Sequence, residues 1–189
     1  PVKTDPLTTD QVTIFVYDAA NPVADAGPDQ SLCTPITSTT LAGSTLIAPA
    51  TGQWSVVLGS GTFADPTDPN TTVSNLQLGP NVFMWSVSNG PCLPPTTTDL
   101  VTITLFSGNA QQADAGPDQE LCNTSPFTVL AGNTPVSPAT GSWSVISGGA
   151  VVLTPTQSNS AVASLSVGEN ILAWTIDNGA CGVSVDQVS

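Results

Sequence analysis

The sequence of 189 residues contains no histidine and no arginine, and Lys3 is its only basic side chain. The sequence has 14 acidic residues, so the formal net charge is −13 at pH 7. A surface this acidic repels phosphate backbones and anionic headgroups, so no nucleic-acid partner is expected. The absence of histidine removes the commonest general acid or base. We therefore expect a protein that is not an enzyme.

Long apolar runs and charged residues are also scarce. Charged residues make up 8% of the chain, and no apolar run approaches the roughly 18–20 residues that a bilayer-spanning helix needs. The chain is therefore expected not to be membrane-inserted. Threonine, serine, valine, glycine and proline are abundant, a composition that favours short strands and turns over helices. The composition predicts an all-β fold.

One stretch occurs twice. Ala-Asp-Ala-Gly-Pro-Asp-Gln at residues 24–30 returns at residues 113–119, an offset of 89 residues. Between residues 24–92 and 113–181, 33 of the 69 aligned positions are identical without a gap. Such self-similarity indicates a tandem duplication of one module, so the function is expected to be one that a repeated module can perform.

The repeat divides the chain into three parts. Residues 1–18 are predicted to be the last strand of a preceding, incomplete module. Residues 19–109 are predicted to form the first β-sandwich repeat, and residues 110–189 the second, which lacks most of its last strand. Residues 10–17 match residues 99–106 at the same offset and alternate with the period of a strand. This arrangement predicts that the sequence is a segment of a longer or processed protein.

Turn signals divide the first module into seven predicted strands: 30–33, 39–42, 53–58, 61–64, 72–76, 81–88 and 99–106. Short strands at this spacing predict two packed antiparallel sheets. Two tryptophans per module lie on central predicted strands, where they are expected to fill the core. An exposed platform for sugar rings is the alternative. The tryptophans are Trp54, Trp85, Trp143 and Trp174.

The four cysteines occupy equivalent places, one pair per module. Three pairings are possible, and the repeat symmetry favours Cys33 with Cys92 and Cys122 with Cys181. Free thiols are the alternative, and zinc is disfavoured because histidine and close Cys-x-x-Cys pairs are absent. Disulfides imply an oxidising compartment: periplasm, cell surface or medium.

The motif set resembles a family of repeats. The opening Ala-Asp-Ala-Gly-Pro-Asp-Gln, the following Leu-Cys, Gly-x-Trp-Ser-Val and Asn-Gly-x-Cys resemble tandem PKD-like and immunoglobulin-like repeats of Bacteroidetes surface proteins, including SprB-like gliding adhesins. This resemblance implies an extracellular location on a bacterial surface, type IX export and a stalk or adhesive role in a filament. It supplies no catalytic residues. Neighbouring repeats of the same or an adjacent chain, and surface polysaccharide, are the expected partners.

Paired carboxylates in the repeated motif are candidates for calcium. Oxygen clusters suit Ca²⁺, and an ion between modules would stiffen the chain. The alternative is that these side chains accept backbone hydrogen bonds around a Gly-Pro turn. The candidate ligands are Asp25, Asp29, Asp114 and Asp118.

Two other functions remain open. The chain could be a carbohydrate-binding or accessory module of a secreted protein. It could also be a fibre subunit, because residues 10–17 could complete the sheet of another chain by strand addition.

Overall fold

The computed structural model describes residues 10–20, 23–122 and 127–189, which form strands, turns and irregular connections. Periodic two-residue alternation of threonine with valine, isoleucine or leucine produces strands with one buried and one exposed face. The first module contains seven strands: β1 (Gln30–Cys33), β2 (Thr39–Thr40), β3 (Thr51–Leu58), β4 (Thr62–Phe63), β5 (Thr72–Ser74), β6 (Gly79–Ser88) and β7 (Thr96–Phe106).

These strands form two sheets. The larger has the order β1-β7-β6-β3, and the smaller has the order β2-β5-β4. All pairs are antiparallel except that β1 runs parallel to β7, with Cys33 opposite Phe106. The predicted positions of all seven strands are close to the observed ones, although the short strands are shorter than predicted.

The second module repeats the two sheets with fewer strands. One sheet has the order β13-β12-β9 and the other has the order β10-β11-β8. The strands are β8 (Thr128–Val129), β9 (Thr140–Ser147), β10 (Val151–Val152), β11 (Ala161–Ala163), β12 (Ile171–Asp177) and β13 (Val183–Val188). A 3-10 turn (Gly179–Cys181) lies between β12 and β13.

Each module has its own core between its two sheets. In the first, side chains of β3, β6 and β7 face Leu41, which follows β2, and Val73 of β5. In the second, side chains of β9, β12 and β13 face Leu130 and Val162. The two clusters share no residue, so each module buries its own apolar face. The fold is therefore an all-β tandem of two sandwiches, each built from two packed, mainly antiparallel sheets, as predicted.

Residues 10–17 belong to no strand in this structure. The side chains of residues 10–16 are exposed, with Val12, Ile14 and Val16 between 79% and 85% exposed. An isolated strand is unstable because its backbone groups need a neighbouring strand. No described residue pairs with this segment as a strand, whereas the equivalent part of β7 lies between β1 and β6. Its assignment to a preceding module stays a prediction.

The last strand of the second module, β13, begins at Val183, three residues before Asp186, and pairs with β12 along its whole length. In the first module β7 likewise begins before the predicted Asp99, at Thr96. In both extensions the added residues pair with the backbone of the neighbouring long strand, β6 in the first module and β12 in the second.

None of the described residues belongs to a helix long and apolar enough to cross a membrane.

Candidate functional site: the junction between modules

The repeated opening motif ties the start of each module to its last strand. The backbone N–H of Ala26 donates to Asp99 Oδ2 at 2.8 Å, and the N–H of Thr102 donates to Asp29 Oδ1 at 2.7 Å. Each segment therefore supplies a carboxylate to the backbone of the other. Charged acceptors make these among the stronger hydrogen bonds of the module.

The second module repeats this exchange. Ala115 N–H donates to Asp186 Oδ2, and Ser189 N–H donates to Asp118 Oδ1, both at 2.8 Å. Asp99 and Asp186 are therefore structural residues that the sequence reasoning missed. The available signal was the repeated acidic residue near the start of the last strand.

The glycine of the motif is required by its backbone and by its surroundings. Gly27 has φ of +78°, and a Cβ built on it would lie 2.8 Å from the carbonyl oxygen of Ala42. Gly116 has φ of +81° and the same approach to Ala131. Only glycine fits such a left-handed, crowded position without strain.

The motif aspartates use their oxygens for this turn. Asp25 Oδ1 accepts from Gly27 N–H at 2.9 Å, and Asp114 Oδ1 accepts from Gly116 N–H at the same distance. Among the described residues there is no group of three or more acidic, histidine or cysteine side chains that could hold a metal ion. The hydrogen bonds account for the motif as a turn, and calcium binding stays a prediction.

All four tryptophans lie in the two cores. Trp54 and Trp85 are 2% and 0% exposed, and Trp143 and Trp174 are 4% and 0% exposed. The two rings of each module lie 5.0 Å apart with a 37° tilt. Every indole N–H has an acceptor, for example Trp54 Nε1 on the carbonyl of Asp68. These rings therefore offer no surface on which a sugar could stack.

The disulfide pairing differs from the prediction. Cys33 bonds to Cys181, with 5.1 Å between their Cα atoms, so the bridge joins the first module to the second. The predicted pairs Cys33–Cys92 and Cys122–Cys181 are not formed, and Cys92 is a free thiol. The physical reason is that Cys33 ends β1 beside Phe106, at the end of the module that adjoins the next one. Cys92 follows β6 at the opposite end.

The disulfide lies within a wider contact between modules. The N–H of Ala180, in the 3-10 turn, donates to Ser31 Oγ of β1 at 3.1 Å. Gly179 has φ of +57°, and a Cβ built on it would lie 2.3 Å from the ring of Phe106. The turn of the second module therefore packs directly on the end of β1 and β7.

The linker is fastened on the same side. Asn178 exchanges hydrogen bonds with the backbone of Gln111, accepting from its N–H at 3.1 Å and donating to its carbonyl at 3.1 Å. The Gln111 side chain bonds the backbone of Thr134 and Val136. Because covalent and polar links converge here, the geometry favours a fixed orientation of neighbouring modules.

The same arrangement begins to repeat at the other end of the first module. The ring of Tyr17 packs on Gly90, as that of Phe106 packs on Gly179. Cys92 Sγ lies 3.7 Å from the carbonyl oxygen of Tyr17. Asn89 donates to the carbonyl of Asp18, while its buried Oδ1 has no partner among the described residues. The turn that follows β6 in the first module thus contacts residues 17–18 in the way that the turn after β12 in the second module contacts the end of β7.

One carboxylate outside the motif has a shifted pKa. The Thr67 hydroxyl donates to Asp65 Oδ1 at 2.7 Å and lowers the pKa of Asp65 below its usual 3.8, and the backbone N–H of Thr67 lowers it further. The second module has Thr154 at this position. Asp65 therefore stabilises one turn and belongs to no repeated site.

No protein-family model matches the chain, and no curated protein matches it. Among solved structures, the PKD domain from KIAA 1837 protein is 28% identical with a TM-score of 0.40, covering 47% of this chain and 90% of that one. The PKD domain from human KIAA0319 is 17% identical with a TM-score of 0.39, covering 50% and 88%. Sidekick-1 immunoglobulin domains 1–5 are 14% identical with a TM-score of 0.44, covering 89% and 39%. These neighbours are PKD and immunoglobulin-like domains.

Proposed function

We propose that the chain is a structural and adhesive segment of an extracellular repeat array on a bacterial surface. The observation that carries this proposal is the cross-module disulfide Cys33–Cys181, which fastens one sandwich to the next. A covalent link at the junction suits a stalk that must hold its modules at fixed spacing. It also fits an oxidising, extracellular compartment.

The surface chemistry supports a long-lived exposed protein. Fourteen acidic residues against one lysine keep neighbouring arrays apart by charge repulsion. The near absence of lysine and arginine leaves little for trypsin-like proteases to cleave. Polar threonine and serine side chains cover the solvent faces of several strands, which discourages edge-to-edge aggregation.

We propose surface polysaccharide as one of the partners that the array contacts. More specifically, we propose that the array is part of a filament used in gliding. Any polysaccharide would have to meet side chains other than the four tryptophans, because these are buried in the cores. The contact would therefore depend on hydroxyl, amide and carboxylate groups of the outer strands and loops.

Surface labelling and attachment assays on source cells test this proposal. An antibody raised against the chain should label intact cells, and its Fab fragments should reduce attachment of those cells to a surface. Fab fragments against an unrelated surface protein provide the control. Labelling only after the cells are opened, or unchanged attachment at saturating Fab, would contradict the proposal.

A further inference from the structure

The disulfide between the modules closes a loop that contains most of both modules. Cys33 and Cys181 are 148 residues apart in sequence, and their Cα atoms lie 5.1 Å apart. Residues 34–180 therefore lie inside the loop. Of the buried residues that form the two cores in the described part of the chain, only Ala26 and Val188 lie outside it.

Each cysteine lies next to a strand at the edge of a sheet. Cys33 is the last residue of β1, which bonds to β7 and forms one edge of the larger sheet of the first module. Cys181 ends the turn that precedes β13, which bonds to β12 and forms one edge of its sheet. The described strands outside the loop are therefore one edge strand at each end.

The linker leaves the first module beside this bridge. The N–H of Thr34 donates to the carbonyl of Phe106 at 3.0 Å, and the N–H of Gly108 donates to Thr34 Oγ1 at 2.7 Å. The residue after Cys33 is thus bonded to the end of β7 and to the start of the linker. Because the disulfide and the linker start from one place, tension can pass through the bridge without first moving the modules.

A pull on the two ends of the chain meets the disulfide before it meets the loop. Tension that enters through β1 reaches Cys33, crosses the S–S bond to Cys181 and leaves through β13. The peptide path through residues 34–180 runs in parallel with this bond. Since two Cα atoms joined by a disulfide stay within about 7 Å, the loop cannot lengthen along the pull while the bond is intact.

We propose that the Cys33–Cys181 disulfide is an extension limiter, which carries the tension between the modules and removes residues 34–180 from the load path. The proposal rests on the proposed function, because a stalk on a cell surface is pulled when the cell is held at a distance. The bridge then keeps the length of the two modules nearly constant even when a core opens.

Force spectroscopy of single chains, held by peptide tags fused at both ends, tests the limiter. With the disulfide intact, the residues outside the loop can add at most about 150 Å of extended chain. Dithiothreitol reduces the bridge to two thiols and is itself oxidised to a cyclic disulfide. Residues 34–180 should then add about 500 Å more. This length should appear in two steps, because the modules have separate cores.

Matched cysteine variants separate the bridge from other effects of the reductant. Cys33→Ser combined with Cys181→Ser should extend by more than about 400 Å without dithiothreitol. Cys92→Ser leaves the bridge intact and should keep the limit of about 150 Å until the reductant is added. Circular dichroism should show both variants folded, because none of these cysteines belongs to either core.

A core variant tests whether the bridge removes the cores from the load path. Val73→Ala opens a cavity in the first core, on β5 of the smaller sheet, away from β1. It should lower the force at which the reduced chain extends, because forced unfolding follows the unfolding rate. With the bridge intact, the same variant should leave the force–extension curve unchanged. Peptic mass spectrometry of each sample should confirm that Cys33 is joined to Cys181.

Three results would overturn the proposal. These are an extension of about 500 Å without reductant, a limit of about 250 Å that Cys92→Ser removes, and a curve that Val73→Ala changes while the bridge is intact. The second is the length expected if each module were closed by its own disulfide. Because the force is applied without a cell or a ligand, failure here would leave the labelling and attachment proposal standing, and failed attachment assays would leave the limiter standing.

Discussion

Residues 10–17 and residues 99–106 share one pattern of side chains but differ in structure. Both begin with an aspartate and alternate threonine or phenylalanine with valine, isoleucine or leucine. The second stretch lies in β7 between two strands and buries Ile103 completely. The first is exposed over residues 10–16 and has no strand partner among the described residues. A pattern of alternation therefore specifies which face of a strand is apolar, while the strand itself depends on its neighbours.

The largest expected effect compares the two cores. Trp85→Ala and Trp174→Ala should each destabilise their own module by about 3–5 kcal/mol, because each removes a fully buried ring. Hydrogen exchange with mass spectrometry should show lost protection in the mutated module alone, since the two cores share no residue. Equal loss of protection in both modules would show that they unfold as one unit.

The next comparison sets β7 directly against residues 10–17. Ile103→Ala should cost about 2–5 kcal/mol, because it opens a cavity beneath β7. Ile14→Ala is the matched control and should change the stability of the monomer by less than about 0.5 kcal/mol. Urea unfolding in a reducing buffer measures both. A similar loss for Ile14→Ala would mean that residues 10–17 pack on the chain that carries them.

A smaller effect concerns the aspartate that begins each stretch. Asp99→Ala leaves the N–H of the buried Ala26 without its acceptor and should cost about 1–3 kcal/mol. Asp10, at the equivalent position, accepts only from the adjacent Gln11 among the described residues, so Asp10→Ala should be neutral. Urea midpoints of the two variants give the comparison. Equal urea midpoints for the two variants would show that the hydrogen bond from Ala26 to Asp99 does not help to hold β7 in place.

The smallest effect distinguishes the modules by pH. Because the folded-state pKa of Asp65 is lowered, its stabilisation is present above the unfolded pKa and disappears as the pH falls through the folded pKa. Asp65→Asn should therefore make the first module slightly less stable at pH 7 and less sensitive to acid below about pH 4. The second module, with Thr154 there, serves as the internal control. An unchanged acid response in the first module would contradict the assignment.

Much of the fold follows from residues that act locally. Turn residues and two-residue alternation place all seven strands of the first module, and tryptophan on central strands places both cores. The first residues of β7 and β13 cannot be placed from local sequence, because Thr96 and Val183 gain their strand conformation by pairing with β6 and β12. Residues 10–17 carry the same alternation without a neighbouring strand among the described residues, and their assignment to a preceding module stays a prediction.

The junction could not be predicted because it depends on how one module meets the next. Repeat symmetry makes Cys33–Cys92 and Cys33–Cys181 equally periodic, since a bridge within each module and a bridge between modules both recur every 89 residues. The parallel pairing of β1 with β7 decides between the two bridges, because it places Cys33 beside Phe106, and the ring of Phe106 packs on the turn of the second module that contains Cys181. Parallel pairing of the first and last strands leaves no mark in local sequence.

The disulfide map of the chain tests the cross-module junction most directly. Peptic digestion under acidic, non-reducing conditions, followed by mass spectrometry, should identify a peptide pair that joins Cys33 to Cys181. After reduction this pair should separate into its two peptides. Peptide pairs joining Cys33 to Cys92 and Cys122 to Cys181 would instead show that each module is closed on itself, and would contradict the covalent coupling of neighbouring modules.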